Sequence, residues 1–89
     1  MPDLNFFVVD QGETKAVVYD SETIIENFIR DYLGKYTDYV TLDTQIYTFK
    51  INGKVLNSDK FKSRKLSDLV KPRGKIDLER KKDVKYSLN

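Results

Sequence analysis

A chain of 89 residues holds one domain and leaves no room for a second. With 39% hydrophobic and 34% charged residues, six Tyr and five Phe, its composition is that of a folded globular protein and not of a disordered tail. It contains no cysteine and no histidine, which excludes disulfides, thiolate or imidazole metal sites and thiol nucleophiles, and removes the commonest general base.

The net charge of +2 is unevenly spread. Residues 1–59 carry five Lys/Arg against ten Asp/Glu, and residues 60–89 carry eleven against four. Such asymmetry marks either a basic face for nucleic acid or an acidic partner, or the solubilised outside of a strand-rich segment. No apolar run approaches the ~20 residues of a membrane span. The start, Met1-Pro2-Asp3-Leu4, lacks the features of a secretory leader. The expectation is a cytoplasmic or nuclear protein with no membrane partner.

In chain order, Leu4 to Asp10 and Lys15 to Asp20 are two β-branched and aromatic runs around Gly12, the pattern of a hairpin. With Gly12-Glu13 as a type II′ turn, Val8 pairs with Val17 and Phe6 with Tyr19. Alternation then gives one face Phe6, Val8, Val17 and Tyr19 and the other Phe7, Val9, Ala16 and Val18. Both faces are apolar. Ile25, Phe28, Ile29, Tyr32 and Leu33 recur at helical spacing, with a Thr23–Glu26 capping box before them and Gly34 as the stop. A connection of Lys35 to Thr44 carries Tyr36 and Tyr39. A strand over Gln45 to Ile51 follows, with Tyr47, Phe49 and Ile51 on one side and Ile46, Thr48 and Lys50 on the other. Asn52-Gly53 turns the chain into Lys54-Val55-Leu56. Lys65 to Val70 reads as a short turn or 3₁₀ element, and Lys75 to Arg80 as the last strand. One helix between two strand pairs predicts an α+β fold with one covered sheet face.

Several segments resemble ubiquitin and the ubiquitin-like domains: Asn5-Phe6-Phe7-Val8, Ile25-Glu26-Asn27-Phe28, Ile51-Asn52-Gly53-Lys54-Val55-Leu56 and, most specifically, Arg64-Lys65-Leu66-Ser67-Asp68-Leu69. The resemblance implies a ubiquitin-like β-grasp, a mixed sheet of four or five strands packed on one amphipathic helix. The domain then spans residues 1–82, with 83–89 a tail or an extra strand. Three departures bear on function. The chain ends Tyr86-Ser87-Leu88-Asn89 without Gly-Gly, so the resemblance implies a domain of fixed role and not a conjugated modifier. The position matching the family's central apolar contact is Lys50, beside Asp77 and Glu79, so ordinary ubiquitin receptors should not bind this face, because burying unpaired charges is costly. The connection after the helix is also longer than the family's.

In this fold Phe6, Val8, Val17, Tyr19, Phe49, Ile51, Leu56, Leu66, Ile76 and Leu78 join Ile25, Phe28, Ile29 and Tyr32 in the core. The opposite face carries Phe7, Val9, Ala16 and Val18 beside Ile46, Thr48, Lys50, Asp77 and Glu79. An exposed apolar patch marks an interaction site, and another protein or multiprotein assembly is the expected partner. The alternative is that Val84, Tyr86 and Leu88 of the tail cover the patch. Tyr36 and Tyr39 form a second candidate surface, or fold back onto the helix end.

No carboxylate pair or Gly-rich phosphate loop argues for catalysis, a cofactor or a small-molecule substrate. The rival reading is sequence-blind nucleic-acid binding by Lys60, Lys62, Arg64, Lys65, Lys71, Arg73, Lys75, Arg80, Lys81, Lys82 and Lys85. A docking mode at the edge of the second strand, as in Ras-binding β-grasp domains, has only Lys15 to support it.

Overall fold

The computed structural model describes residues 2–81. Leu4 to Asp10 and the run after Gly12 form a hairpin of β1 (Asp3–Asp10) and β2 (Glu13–Asp20). The turn is Gln11-Gly12, not Gly12-Glu13. Both residues have positive φ, 54° and 78°, the type I′ geometry that matches the twist of paired strands. All eight residues of each strand are thereby paired, with Phe6 opposite Val17 and Leu4 opposite Tyr19. The expected pairing was two positions out, a shift that leaves every side chain on its expected face. Gln11 is the strained member of this turn, since only Gly and Asn enter the left-handed region at low cost. Gln11→Asn is expected to raise stability by about 0.5–1 kcal/mol, a few degrees in a thermal melt. With the turn one residue later the melt would not move.

The amphipathic stripe forms α1 (Ile25–Tyr36), which buries Ile25, Phe28, Ile29, Tyr32 and Leu33. No capping box forms. The capping residue is Ile24, which has no side-chain cap, and the first free N–H groups go to backbone carbonyls instead: Ile25 N–H to Arg64 at 2.9 Å and Glu26 N–H to Lys62 at 2.9 Å. Docking against the 62–66 segment does the work of a cap. Nor does the helix stop at Gly34. It continues to Tyr36 and ends where Thr37 returns both its N–H and its hydroxyl to the Leu33 carbonyl, at 2.9 and 2.6 Å.

The rest of the chain supplies β3 (Tyr47–Ile51), β4 (Lys54–Val55), the single-turn helix α2 (Leu66–Leu69) and β5 (Lys75–Arg80). Among the described residues the sheet has five strands in the order β2-β1-β5-β3-β4. β1 and β5 run parallel and the other pairs antiparallel. This is the mixed, helix-covered sheet of the α+β expectation. The expected core is buried, with Tyr19 only partly so, and Leu4, Leu33, Tyr47 and Val70 join it. Phe28 lies at its centre, 5.3 Å from Phe6, 4.9 Å from Tyr19 and 6.0 Å from Phe49 between ring centroids.

Asn57, buried at 3% exposure, ties the long connection to the sheet. Its Oδ1 accepts from Phe49 N–H at 3.2 Å, and its Nδ2 donates to the carbonyls of Tyr47 at 2.8 Å and Leu42 at 3.2 Å. It thus acts as a further rung on β3 beyond the short β4. Among the described residues no helix is long and apolar enough to cross a membrane. The tail or strand expected at 83–89 lies outside the described residues.

Candidate functional site

The sheet face turned away from α1 carries the odd-numbered residues of β1 and β5 and the even-numbered residues of β2. Phe7 stands opposite Ala16 on one side and beside Lys75 on the other; Val9 stands beside Asp77. Phe7 and Val9 are half-buried by their neighbours, while Ala16 and Val18 are exposed, Val18 at 56%. These four residues make an apolar strip along β1 and β2. Across β5 the character changes. Lys50 pairs with Asp77, and Thr48 with Glu79, in the β3–β5 ladder. Lys81, bonded to Glu79 at 3.1 Å, and the charge of Lys50 hold the Glu79 carboxyl below its ordinary value.

Two residues expected on this face do not serve it. Ile46 lies before β3 in a turn closed by its own N–H on the Asp43 carbonyl at 3.0 Å, so strand alternation does not apply, and it packs against the core. Thr48 keeps its place in the alternation but is only 6% exposed, its hydroxyl bonded to the Thr44 carbonyl at 3.1 Å. Among the described residues the outer face is therefore made of Phe7, Val9, Ala16 and Val18 with the charged border of Lys50, Asp77 and Glu79.

The second surface sits around the far end of α1. Tyr36 and Tyr39 are each 44% exposed, and Val40 beside them 48%. The Tyr36 ring rests 4.7 Å from Tyr32, with the Lys15 ammonium 5.2 Å above it. The Tyr39 side chain is exposed while its carbonyl receives the Tyr47 hydroxyl at 3.1 Å. A groove of about 180 Å³ runs between the outer edge of β2 and this end of the helix, lined by Ala16, Val17, Val18, Tyr19, Lys35 and Tyr36. Val18 and Ala16 thus border both surfaces, which the sequence presented as separate.

Under the helix end lies a polar cluster that the sequence reading missed. Asp10, 2% exposed, takes two bonds from the Arg80 guanidinium, Nε at 2.8 Å and Nη2 at 2.6 Å, and a third from the Tyr32 hydroxyl at 2.8 Å. Burial pushes the Asp10 carboxyl up, but the Arg80 and Tyr32 hydrogen bonds and the Arg80 charge together hold it below the ordinary carboxylate range. The same bonds raise Arg80 further, and burial with the Asp10 bond raises Tyr32. Alternation carried the signal, because Asp10 continues the inward series Phe6, Val8 and Arg80 continues Ile76, Leu78.

Of the basic stripe, Lys62 pairs with Asp59, Arg64 with Asp68, Lys65 with Glu22, Arg80 with Asp10 and Lys81 with Glu79. Lys82 and Lys85 lie outside the described residues. The remaining members include Lys71, Arg73 and Lys75 at the entry to β5.

Comparison with solved structures decides the fold. The ubiquitin-like domain of an Arabidopsis thaliana protein, determined by solution NMR, superposes with a TM-score of 0.68 over 90% of this chain and 79% of that one, at 12% sequence identity. The chain has the ubiquitin-like fold. A chain in the crystal structure of the pParkin–pUb–UbcH7 complex matches with a TM-score of 0.65 at 14% identity, over 89% of this ubiquitin-like domain and 23% of the larger chain. No family model and no curated protein matches the sequence. In this chain the outward position of β3 that pairs with Asp77 is a lysine, Lys50.

Proposed function

We propose that this ubiquitin-like domain is a non-catalytic docking module that binds another protein through the outer face of its sheet. The observation that carries the reading is the apolar strip of Phe7, Val9, Ala16 and Val18, left uncovered by α1, with Ala16 exposed and Val18 56% exposed. Exposed apolar patches of this kind mark interaction sites. Burying two or three such side chains contributes roughly 1.5–3 kcal/mol each, enough to anchor a micromolar contact before ordering losses. The neighbour in the pParkin–pUb–UbcH7 complex, itself part of a multiprotein assembly, supports the same class of role. The nucleic-acid reading draws less support, because five members of the basic stripe are already engaged with carboxylates.

The test replaces exposed strip residues without touching the core. Immobilised Ala16→Asp, Val18→Asp protein is compared with the parent and with Asn27→Asp on the exposed flank of α1, in quantitative pull-downs from the source cells. Bound proteins specific to the parent are expected to fall at least tenfold for the strip variant and to persist for the helix variant. Equal retention by all three proteins ends the reading.

A further inference from the structure

The outer face has a charge polarity that selects among partners, and this inference rests on the docking reading above. Beside the strip, Lys71-Pro72-Arg73-Gly74 forms a tight turn. Gly74 N–H bonds the Lys71 carbonyl at 2.8 Å, Pro72 takes the second position, and Arg73 takes the third with φ 66°. That is a type II turn, whose third position favours Gly or Asn. A side chain on Gly74 would meet the Lys71 carbonyl at 2.9 Å, so the turn has room only for glycine there. It is stitched to β1 on both sides of the strip's edge: Arg73 N–H to the Asn5 carbonyl at 2.7 Å and Phe7 N–H to the Gly74 carbonyl at 2.9 Å. Lys75 then begins β5 directly beside Phe7.

Lys71, Arg73 and Lys75 are all exposed, and among the described residues none has an ion-pair partner. Two cations on this turn and a third at the start of β5 thus flank one margin of an apolar strip, and one of them, Arg73, strains its backbone to be there. Farther along β5 the same face turns acidic at Asp77 and Glu79, and Asp3 and Asp20 form the last pair of the hairpin. We propose that the strip accepts a protein segment in which carboxylates accompany apolar side chains, the apolar groups on Phe7, Ala16 and Val18 and the carboxylates against Lys71, Arg73 and Lys75. A nucleic-acid backbone fits worse. It has no apolar groups for the strip, and a polyanion reaching past the turn meets Asp77, Glu79, Asp3 or Asp20.

The experiment uses the full chain with three probes: a ten-residue peptide alternating Leu and Glu, its Leu–Lys counterpart, and polyuridylate. Amide chemical shifts are followed at low and at physiological salt. The Leu–Glu peptide is expected to perturb Asn5 to Val9, Ala16 to Val18 and Lys75, and to bind at least tenfold tighter than the Leu–Lys peptide. The triple variant Lys71→Glu, Arg73→Glu, Lys75→Glu, all exposed positions, should invert that preference. If both peptides shift Phe7 and Val18 equally, the docking reading stands and the acidic preference falls. If neither reaches the strip, both fall. Tighter binding of polyuridylate, with shifts confined to 71–75, overturns the proposal in favour of nucleic acid.

Discussion

Replacing Arg80 with Met is expected to destabilise the domain by about 3 kcal/mol at neutral pH, because it strands a buried carboxylate. Asp10 is 1% exposed at its side chain and Arg80 25%, so the two ends of the pair are not equivalent. Remove the carboxylate charge by Asp10→Asn and the guanidinium regains water; remove the guanidinium and Asp10 keeps only the Tyr32 hydroxyl. Asp10→Asn should therefore cost clearly less than Arg80→Met. The pH dependence tests the cause. In the parent, Asp10 lies below its ordinary value when folded, so its stabilisation is present above about pH 4 and is lost as pH falls through the folded value. In Arg80→Met the two bonds and the charge of Arg80 are lost while burial stays, so the folded value moves up from the parent's. The gap between the two proteins then shrinks as pH falls through the two folded values. Urea unfolding at pH 7 and pH 4.5 should show the gap between the two proteins narrowing at the lower pH. A gap of the same size at both would mean that Arg80 acts through packing alone.

Phe28→Ala should be at least as damaging, about 3–5 kcal/mol, since it empties the centre of the core. Its ring centroid lies within 6.2 Å of those of Phe6, Tyr19, Tyr32 and Phe49. These rings come from four elements, so no single neighbour can close the cavity. Against a total stability of about 5–15 kcal/mol for a small domain, such a loss leaves a chain near the unfolding threshold. The expected readout is loss of most near-ultraviolet aromatic dichroism at 37 °C. Phe28→Leu, which keeps much of the volume, should retain it. A cooperative melt within a few degrees of the parent for Phe28→Ala would place the core elsewhere.

What could be read from the sequence was parity, and what could not was register and termination. The alternation of Phe6, Val8, Val17 and Tyr19 fixes the face each occupies however the hairpin slides by two, which is why the turn at Gln11-Gly12 could be misplaced without misplacing the core. Helix ends depend on partners remote in sequence. The carbonyls of Lys62 and Arg64 that receive the first N–H groups of α1 lie more than thirty positions downstream, whereas the local Thr23–Glu26 pattern was present and unused. Thr37 gave a stronger stop than Gly34 because it brings a hydroxyl to the freed Leu33 carbonyl. Ile46 was lost from the outer face because a turn, not a strand, holds it, and Asn57 gave no sign, since an asparagine after a hairpin is ordinarily on the surface. The outer strip itself was legible because both faces of the first two strands are apolar, a pattern with no use in a one-sided core.

The place of β5 has a consequence for synthesis. It is the last of the five strands to leave the ribosome and the third in spatial order, wedged between β1 and β3. Until it arrives, the nascent chain holds a two-stranded ribbon and a separate short hairpin, neither of which is stable alone. The closing ladder joins partners far apart in sequence, as Phe7 and Lys75 are, so the loop to be closed is long. Any product cut short before Lys75 exposes the unpaired flank of β1 beside its apolar strip, and such fragments should be cleared or aggregate.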